Sequence, residues 1–215
     1  MTAKQIGPLT GILFVVLVIA AFVVGGETPG TDDSPQTIVS FYLDNDSEQS
    51  IASALLALAC VPFLFFLAAL RRALRTAAGD EGGLSTVALL GGLMIVVGAS
   101  IFAGIGFTLG DAADQLPASA VLTLNALNSD LFFPVFLGIC VFYFSTALAI
   151  LSTGALPRWW GWMTLVLAVI SLLGPGGFIA FLALAPWTLV ASILLMRGSA
   201  STEAPQALGA QQPVG

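Results

Sequence analysis

Long apolar segments separated by short polar ones run through the whole chain. The clearest extends from Ser50 to Leu70 and stops against a group of arginines. A helix rises about 1.5 Å per residue, so about 20 such residues are enough to cross the roughly 30 Å hydrocarbon layer of a bilayer. The same pattern predicts six membrane spans, at about 8–26, 50–70, 84–110, 131–153, 159–173 and 178–196.

These spans predict an all-α integral membrane protein, a bundle of six transmembrane helices that forms one domain over residues 1–197. The first span is interpreted as an uncleaved helix, because its apolar run is longer than that of a typical signal peptide and lacks a small-x-small cleavage site. Segment 198–215 is rich in Ala, Gln, Pro and Ser, which predicts a disordered cytoplasmic tail.

The few basic residues predict how the bundle is oriented, since cytoplasmic turns are enriched in Lys and Arg. With both termini in the cytoplasm, every base falls on the inner side: Lys4, Arg71, Arg72, Arg75, Arg158 and Arg197. The acidic stretch from Glu27 to Glu48 then lies outside. The predicted location is the plasma (cytoplasmic) membrane.

The outer loop at 27–49 contains a predicted surface helix. Ser34 suits an N-cap, Pro35 suits the first helical turn, and one face of the following turns carries Ile38, Phe41 and Tyr42. We expect a helix over 35–43 with its aromatics at the headgroup level, an irregular loop being the alternative. Residues 118–130 form either an outer extension of the fourth span or a second surface helix.

An acidic run precedes the second span. Asp44, Asp46 and Glu48 alternate as calcium ligands do, but the Gly and Glu that an EF-hand requires at its sixth and twelfth positions are missing. We favour helix capping, with Asn45 as the N-cap and Glu48 completing a capping box. No metal site is predicted.

Small residues in the third span predict close helix packing. Ser100 and Gly104 form a small-xxx-small pair, which lets a neighbouring helix approach closely. We therefore expect this span at the centre of the bundle. The alternative is that its glycines line a path for a substrate.

Candidate binding residues surround the start of the fourth span. Asn125, Asn128 and Ser129 share a helical face that continues towards Tyr143, and Asp130 is an ionisable group beside a span. Polar groups at such positions are candidate sites. The structural alternative for Asp130 is solvation and capping at the outer interface.

Composition excludes several classes of protein. Hydrophobic residues make up 58% of the 215-residue chain and charged residues 8%, with a mean hydropathy of +1.01, which excludes a water-soluble globule. His is absent, so the commonest general base and metal ligand are missing. Cys60 and Cys140 lie in apolar spans and are interpreted as small buried hydrophobes. Neither a cofactor nor a nucleic-acid partner is predicted.

Three motifs carry a resemblance to a known family. They are Ser34-Pro with Phe41-Tyr42, the run Phe66-Leu-Ala-Ala-Leu-Arg-Arg-Ala-Leu-Arg75, and Leu156-Pro-Arg-Trp-Trp-Gly-Trp162. In these the chain resembles a family of uncharacterised multi-pass bacterial membrane proteins from high-GC genomes. The resemblance implies a six-helix bundle and provides no catalytic residues.

Three functions are compatible with the sequence. The favoured one is a non-enzymatic structural or accessory membrane protein that binds lipid, a partner membrane protein or a second copy of itself. The alternative is a small-solute transporter or channel, entered from outside near Asn125, Asn128 and Asp130. An intramembrane enzyme is the third, and it lacks a nucleophile paired with a base and lacks paired carboxylates.

Overall fold

The computed structural model describes residues 3–78, 82–130, 132–173 and 176–209. Within these ranges the regular structure is α-helical. The helices are α1 (Ala3–Gly25), α2 (Pro35–Asp44), α3 (Asp46–Ala78), α4 (Gly83–Asp111), α5 (Ala118–Asp130), α6 (Phe132–Thr153), α7 (Arg158–Ser171), α8 (Gly176–Leu182) and α9 (Leu184–Gly209).

Five helical segments are long and apolar enough to cross a membrane by length and composition. They are Gly7–Gly25, Asp46–Ala78, Gly83–Asp111, Ala118–Thr153 and Gly177–Arg197. The predicted fifth span corresponds to α7, which has 14 residues and is therefore about 21 Å long. The predicted sixth span is interrupted at Ala183, and α9 continues as a helix into the predicted tail. Residues 210–215 lie outside the described part, and disorder of the tail stays a prediction.

The long helices form a closed ring in which neighbours in sequence are neighbours in space. The contacts run α1–α3–α4–α6–α7, then through α8 to α9, which packs against α1. Consecutive helices are antiparallel, because early residues of one lie beside late residues of the next. The pairs include Gly7 with Ala69, Gly25 with Ala52, Gly110 with Ser50, Gly98 with Val135, and Gly161 with Ile150.

Glycines allow α4 to approach α6 at backbone distance. A Cβ on Gly91 would lie 2.5 Å from the backbone nitrogen of Phe142, and one on Gly138 would lie 2.8 Å from the nitrogen of Ile95. Gly104, by contrast, has open space around its Cα. The prediction that Ser100 and Gly104 mediate close packing is therefore wrong, since small size alone does not say which face meets a neighbour.

The expectation that the third span lies at the centre is also wrong. α4 is one member of the ring, and its most apolar part is 39% buried, against 56% for that of the segment formed by α5 and α6. The middle of the ring is instead filled by side chains around Trp187, which is 1% exposed. Phe66, Phe142 and Trp160 each contact its indole ring, with centroids 5.2–6.4 Å away.

The two ends of the ring differ in charge. The predicted inner bases fall where α1 starts, where α3 ends, where α7 starts and near Arg197 of α9. The opposite end carries the acidic loop and the two short helices α2 and α5. Trp159 and Trp162 are exposed beside Arg158, as an interfacial aromatic belt requires, whereas Trp160 turns into the core.

The predicted helix at 35–43 exists as α2, so the loop alternative is wrong. Its place on the membrane surface stays a prediction. Ser34 caps it by accepting a hydrogen bond from the backbone N–H of Thr37, and Pro35 occupies its first turn. Asn45 does not form the predicted side-chain cap of α3. Its Nδ2 donates instead to the carbonyl of Phe41 at 2.8 Å and closes the C-terminus of α2.

We predict that Gly91→Ala lowers the free energy of unfolding by about 1–3 kcal/mol, because the new methyl group would force the α4 and α6 backbones apart. Thermal unfolding of the purified protein in detergent measures the loss. Gly104→Ala on the same helix is the matched control and should leave stability unchanged or slightly raised, since its Cβ meets nothing. Equal behaviour of the two variants would contradict the close contact.

Candidate functional site

An apolar cavity of about 530 Å³ lies within the ring, towards the end that carries α2 and α5. Its wall comes from the second half of α1, the first half of α3, the middle turns of α4 and the start of α6. The remaining wall is α8 and the first turns of α9. Residues from each of these helices include Phe22, Phe63, Phe102, Phe132, Phe181 and Leu189. The volume is in the range of small-molecule sites, about 300–1,000 Å³.

The lining side chains are apolar apart from one thiol. Cys60 lies 3.5 Å from the carbonyl of Leu56 and 3.9 Å from that of Val96, so its S–H is directed at the backbone. Phe63 separates the cavity from the cluster around Trp187, since it packs on Phe66 with ring centroids 5.9 Å apart. The cavity therefore suits a hydrocarbon group, and the Cys60 thiol is its one side-chain heteroatom.

The cavity opens sideways between α1 and α8. The lining residues that are exposed lie on these two helices and in the first turn of α9: Ile19, Phe22 and Val23 on α1, Leu182 on α8, and Pro186 on α9. Phe22 and Phe181 bridge the opening with an edge-to-face ring contact at 6.1 Å. Access therefore runs through the side of the helix ring.

The interruption between α8 and α9 shapes this opening. Pro186 has no N–H and cannot donate to the carbonyl four residues earlier, so the helix breaks at Ala183. The break also leaves the Ala180 carbonyl available to a side chain, and the hydroxyl of Tyr143 donates to it at 3.2 Å. Tyr143 thus holds α8 against α6.

Three of the predicted site residues lie above the bundle at the contact between α2 and α5. The hydroxyl of Tyr42 donates to Oδ1 of Asn125 at 2.7 Å, and both side chains are buried. Nδ2 of Asn125 and Oδ1 of Asn128 are buried without a hydrogen-bond partner. The hydroxyl of Ser129 donates to the carbonyl of Asn125 at 3.1 Å. This polar group ties the two short helices together.

The other two predicted residues do not join this group. Tyr143 belongs to the main hydrophobic core, whereas Tyr42 belongs to a separate small cluster with Leu109 and Val121. Asp130 is exposed at the end of α5. The apolar cavity is lined by none of the five predicted site residues. Tyr42, expected at the headgroup level, is 2% exposed and packs inside the protein. Its depth in the membrane stays a prediction.

Sequence reasoning missed the residues that line the cavity. These residues are hard to recognise from the sequence, because Phe and Leu are common in every span. Pro186 was the clearest sign, since a proline in a span interrupts helical hydrogen bonding. Among the described residues no group of three or more His, Cys, Asp or Glu could hold a metal ion.

The fold and the cavity define a class: an all-helical protein with five helices of membrane-spanning length and an apolar site inside the helix ring. No protein-family model, curated protein or solved structure matches the chain. The family resemblance in the sequence therefore stays a prediction.

The contact between α2 and α5 is predicted to weaken at alkaline pH. Burial raises the pKa of Tyr42 to about 12 from its usual 10.0. Between these values the unfolded chain has lost the proton that the folded protein keeps, so stability falls as pH rises, by at most about 1.4 kcal/mol per pH unit. Below pH 10 the full contribution is present.

Chemical denaturation of the wild type and of Tyr42→Phe at several pH values from about 9 to about 12 checks this prediction. The wild type should lose more stability over this range than the variant. Parallel curves for the two proteins would contradict the buried hydroxyl. Ser40→Ala, at an exposed position of α2, should follow the wild type.

Proposed function

We propose that this chain is a multi-pass protein of the bacterial plasma membrane that binds the hydrocarbon chain of a lipid in its apolar cavity. The role is accessory and non-enzymatic. The observation that carries the proposal is a cavity of about 530 Å³, lined by apolar side chains, that opens through the side of the helix ring. In a bilayer such an opening faces lipid tails.

Six spans with both termini in the cytoplasm fit the arrangement of the helices. α7 lies antiparallel to α6 over nearly its whole length, with Gly161 beside Ile150 at one end and Ser171 bonded to Cys140 near the other. A helix of this length crosses most of a bilayer. The bases then share the inner end, which follows the positive-inside rule.

The geometry supports the transporter alternative less well. A polar solute would need hydrogen-bonding groups along its path. Asn125 uses its Oδ1 on Tyr42, and Tyr143 uses its hydroxyl on Ala180. The apolar cavity instead favours an apolar ligand, and Cys60 is its one side chain with a reactive heteroatom. Lipid binding is therefore preferred over both solute transport and catalysis.

Filling the cavity is predicted to weaken lipid binding. Ala99 lines the cavity on α4, and Ala99→Phe places a ring where about two methylene groups of a chain would lie, a loss of about tenfold in affinity. Native mass spectrometry of the detergent-extracted protein, titrated with a fatty-chain lipid, measures the bound fraction.

Val97→Phe is the matched control for this experiment. Val97 is on the same helix and is 57% exposed, outside the cavity. It should bind lipid as the wild type does. Equal binding by Ala99→Phe, Val97→Phe and the wild type would remove the cavity as the lipid site.

The six-span topology predicts which positions a membrane-impermeant maleimide reaches in intact cells. In a background with Cys60 and Cys140 replaced by Ala, Thr31→Cys should react. Ser152→Cys and Ser201→Cys should react only after permeabilisation. Reaction of Ser201→Cys in intact cells would mean that α7 does not cross the membrane, and five spans would replace six.

A further inference from the structure

We infer that the lipid taken by the cavity is an alcohol, a hydrocarbon chain that carries a hydroxyl group, which donates a hydrogen bond to the backbone carbonyl of Leu182. This inference rests on the proposed function and specifies its ligand. The cavity wall contains a backbone carbonyl that lacks its helical donor, and no side chain of the wall is placed to donate to it. The apolar part of the wall would select the length and branching of the ligand's hydrocarbon chain.

The acceptor arises from the break in the last span. In an α-helix the carbonyl of residue 182 would accept from the N–H of residue 186, and residue 186 is proline. Backbone bonds resume on either side of the break: Ala183 donates to the carbonyl of Ile179, and Trp187 donates to the carbonyl of Ala183. The carbonyl of Leu182 is left between them without its helical donor.

This carbonyl lies beside the cavity. A helical carbonyl points towards the residue four positions later, and both Leu182 and Pro186 line the cavity at its lateral opening. An unpaired carbonyl in an apolar environment is costly, because no water replaces the missing bond. A ligand hydroxyl at the opening would remove that cost while its chain extends inwards towards Phe63.

No side chain of the cavity wall is available to donate to this carbonyl. Cys60 is the one cavity-lining side chain with a polar hydrogen, and its thiol is directed at the carbonyls of Leu56 and Val96. The hydroxyl of Tyr143 is bonded to Ala180. Fatty esters, ethers and quinones carry only acceptors, so they would leave Leu182 unpaired. A chain alcohol fits the wall better than any of them.

The test compares hexadecanol with its methyl ether, which has the same chain and no donor. Each competes with a fluorescent fatty-chain probe for the full-length protein in lipid nanodiscs. We expect the alcohol to bind about tenfold more tightly than the ether, the effect of one hydrogen bond in an apolar site. The isoprenoid alcohol farnesol, in a parallel titration, distinguishes a branched chain from a straight one.

A pair of proline variants identifies the acceptor. Pro186→Ala supplies a backbone N–H that can donate to the carbonyl of Leu182. The ratio of the alcohol affinity to the ether affinity should therefore fall towards one, while both ligands still bind through their hydrocarbon chains. Pro62→Ala is the matched control, because it restores a bond to Leu58 of α3, which does not line the cavity. Pro62→Ala should keep the wild-type ratio of alcohol affinity to ether affinity.

Lipid binding, hydroxyl specificity and the identity of the acceptor would each fail with a different result. If the wild type binds neither the alcohol nor the ether, the proposed lipid-binding function is wrong. If both bind equally, lipid binding stands and the hydroxyl specificity is overturned. A tenfold preference that survives Pro186→Ala would overturn Leu182 as the acceptor.

Discussion

The fold depends on the indole ring of Trp187, which fills the middle of the helix ring. It contacts aromatic rings from three other helices, Phe66 of α3, Phe142 of α6 and Trp160 of α7. Its Nε1 donates to the hydroxyl of Thr164 at 2.9 Å, so the polar atom is satisfied as well. Buried aromatic pairs of this kind add about 0.5–1.5 kcal/mol each beyond area burial. The half of the helix ring around Trp187 is therefore closely packed.

The cavity follows from the same arrangement. Trp187 comes directly after Pro186, so the residue that fills one half of the ring is next to the residue that breaks the helix beside the other half. The break separates α8 from α9, and α1 packs along α9 and makes little contact with α8. Packing and opening are therefore two consequences of one short segment, Ala183–Trp187.

Local sequence pattern predicted the helices well, because hydrophobic length and turn chemistry act within a few residues. The span limits, the helix at 35–43 and its Ser34 cap all come from such short-range rules. The structure corrects the sequence where the answer depends on distant partners. Tyr42 and Asn125 are 83 positions apart, and their hydrogen bond requires α2 and α5 to meet. Choosing between Gly91 and Gly104 as the contact residue likewise requires knowing which face of α4 meets α6.

The candidate polar residues and the apolar cavity occupy different parts of the molecule. Asn125 and Tyr42 join α2 to α5 beside the end of α4, whereas the opening lies across the ring between α1 and α8. At the asparagines, Oδ1 of Asn125 is already bonded to Tyr42. Between α1 and α8, the contact that closes the opening is the edge-to-face packing of Phe22 on Phe181. The proposed lipid would enter by this lateral route, because it already resides in the bilayer.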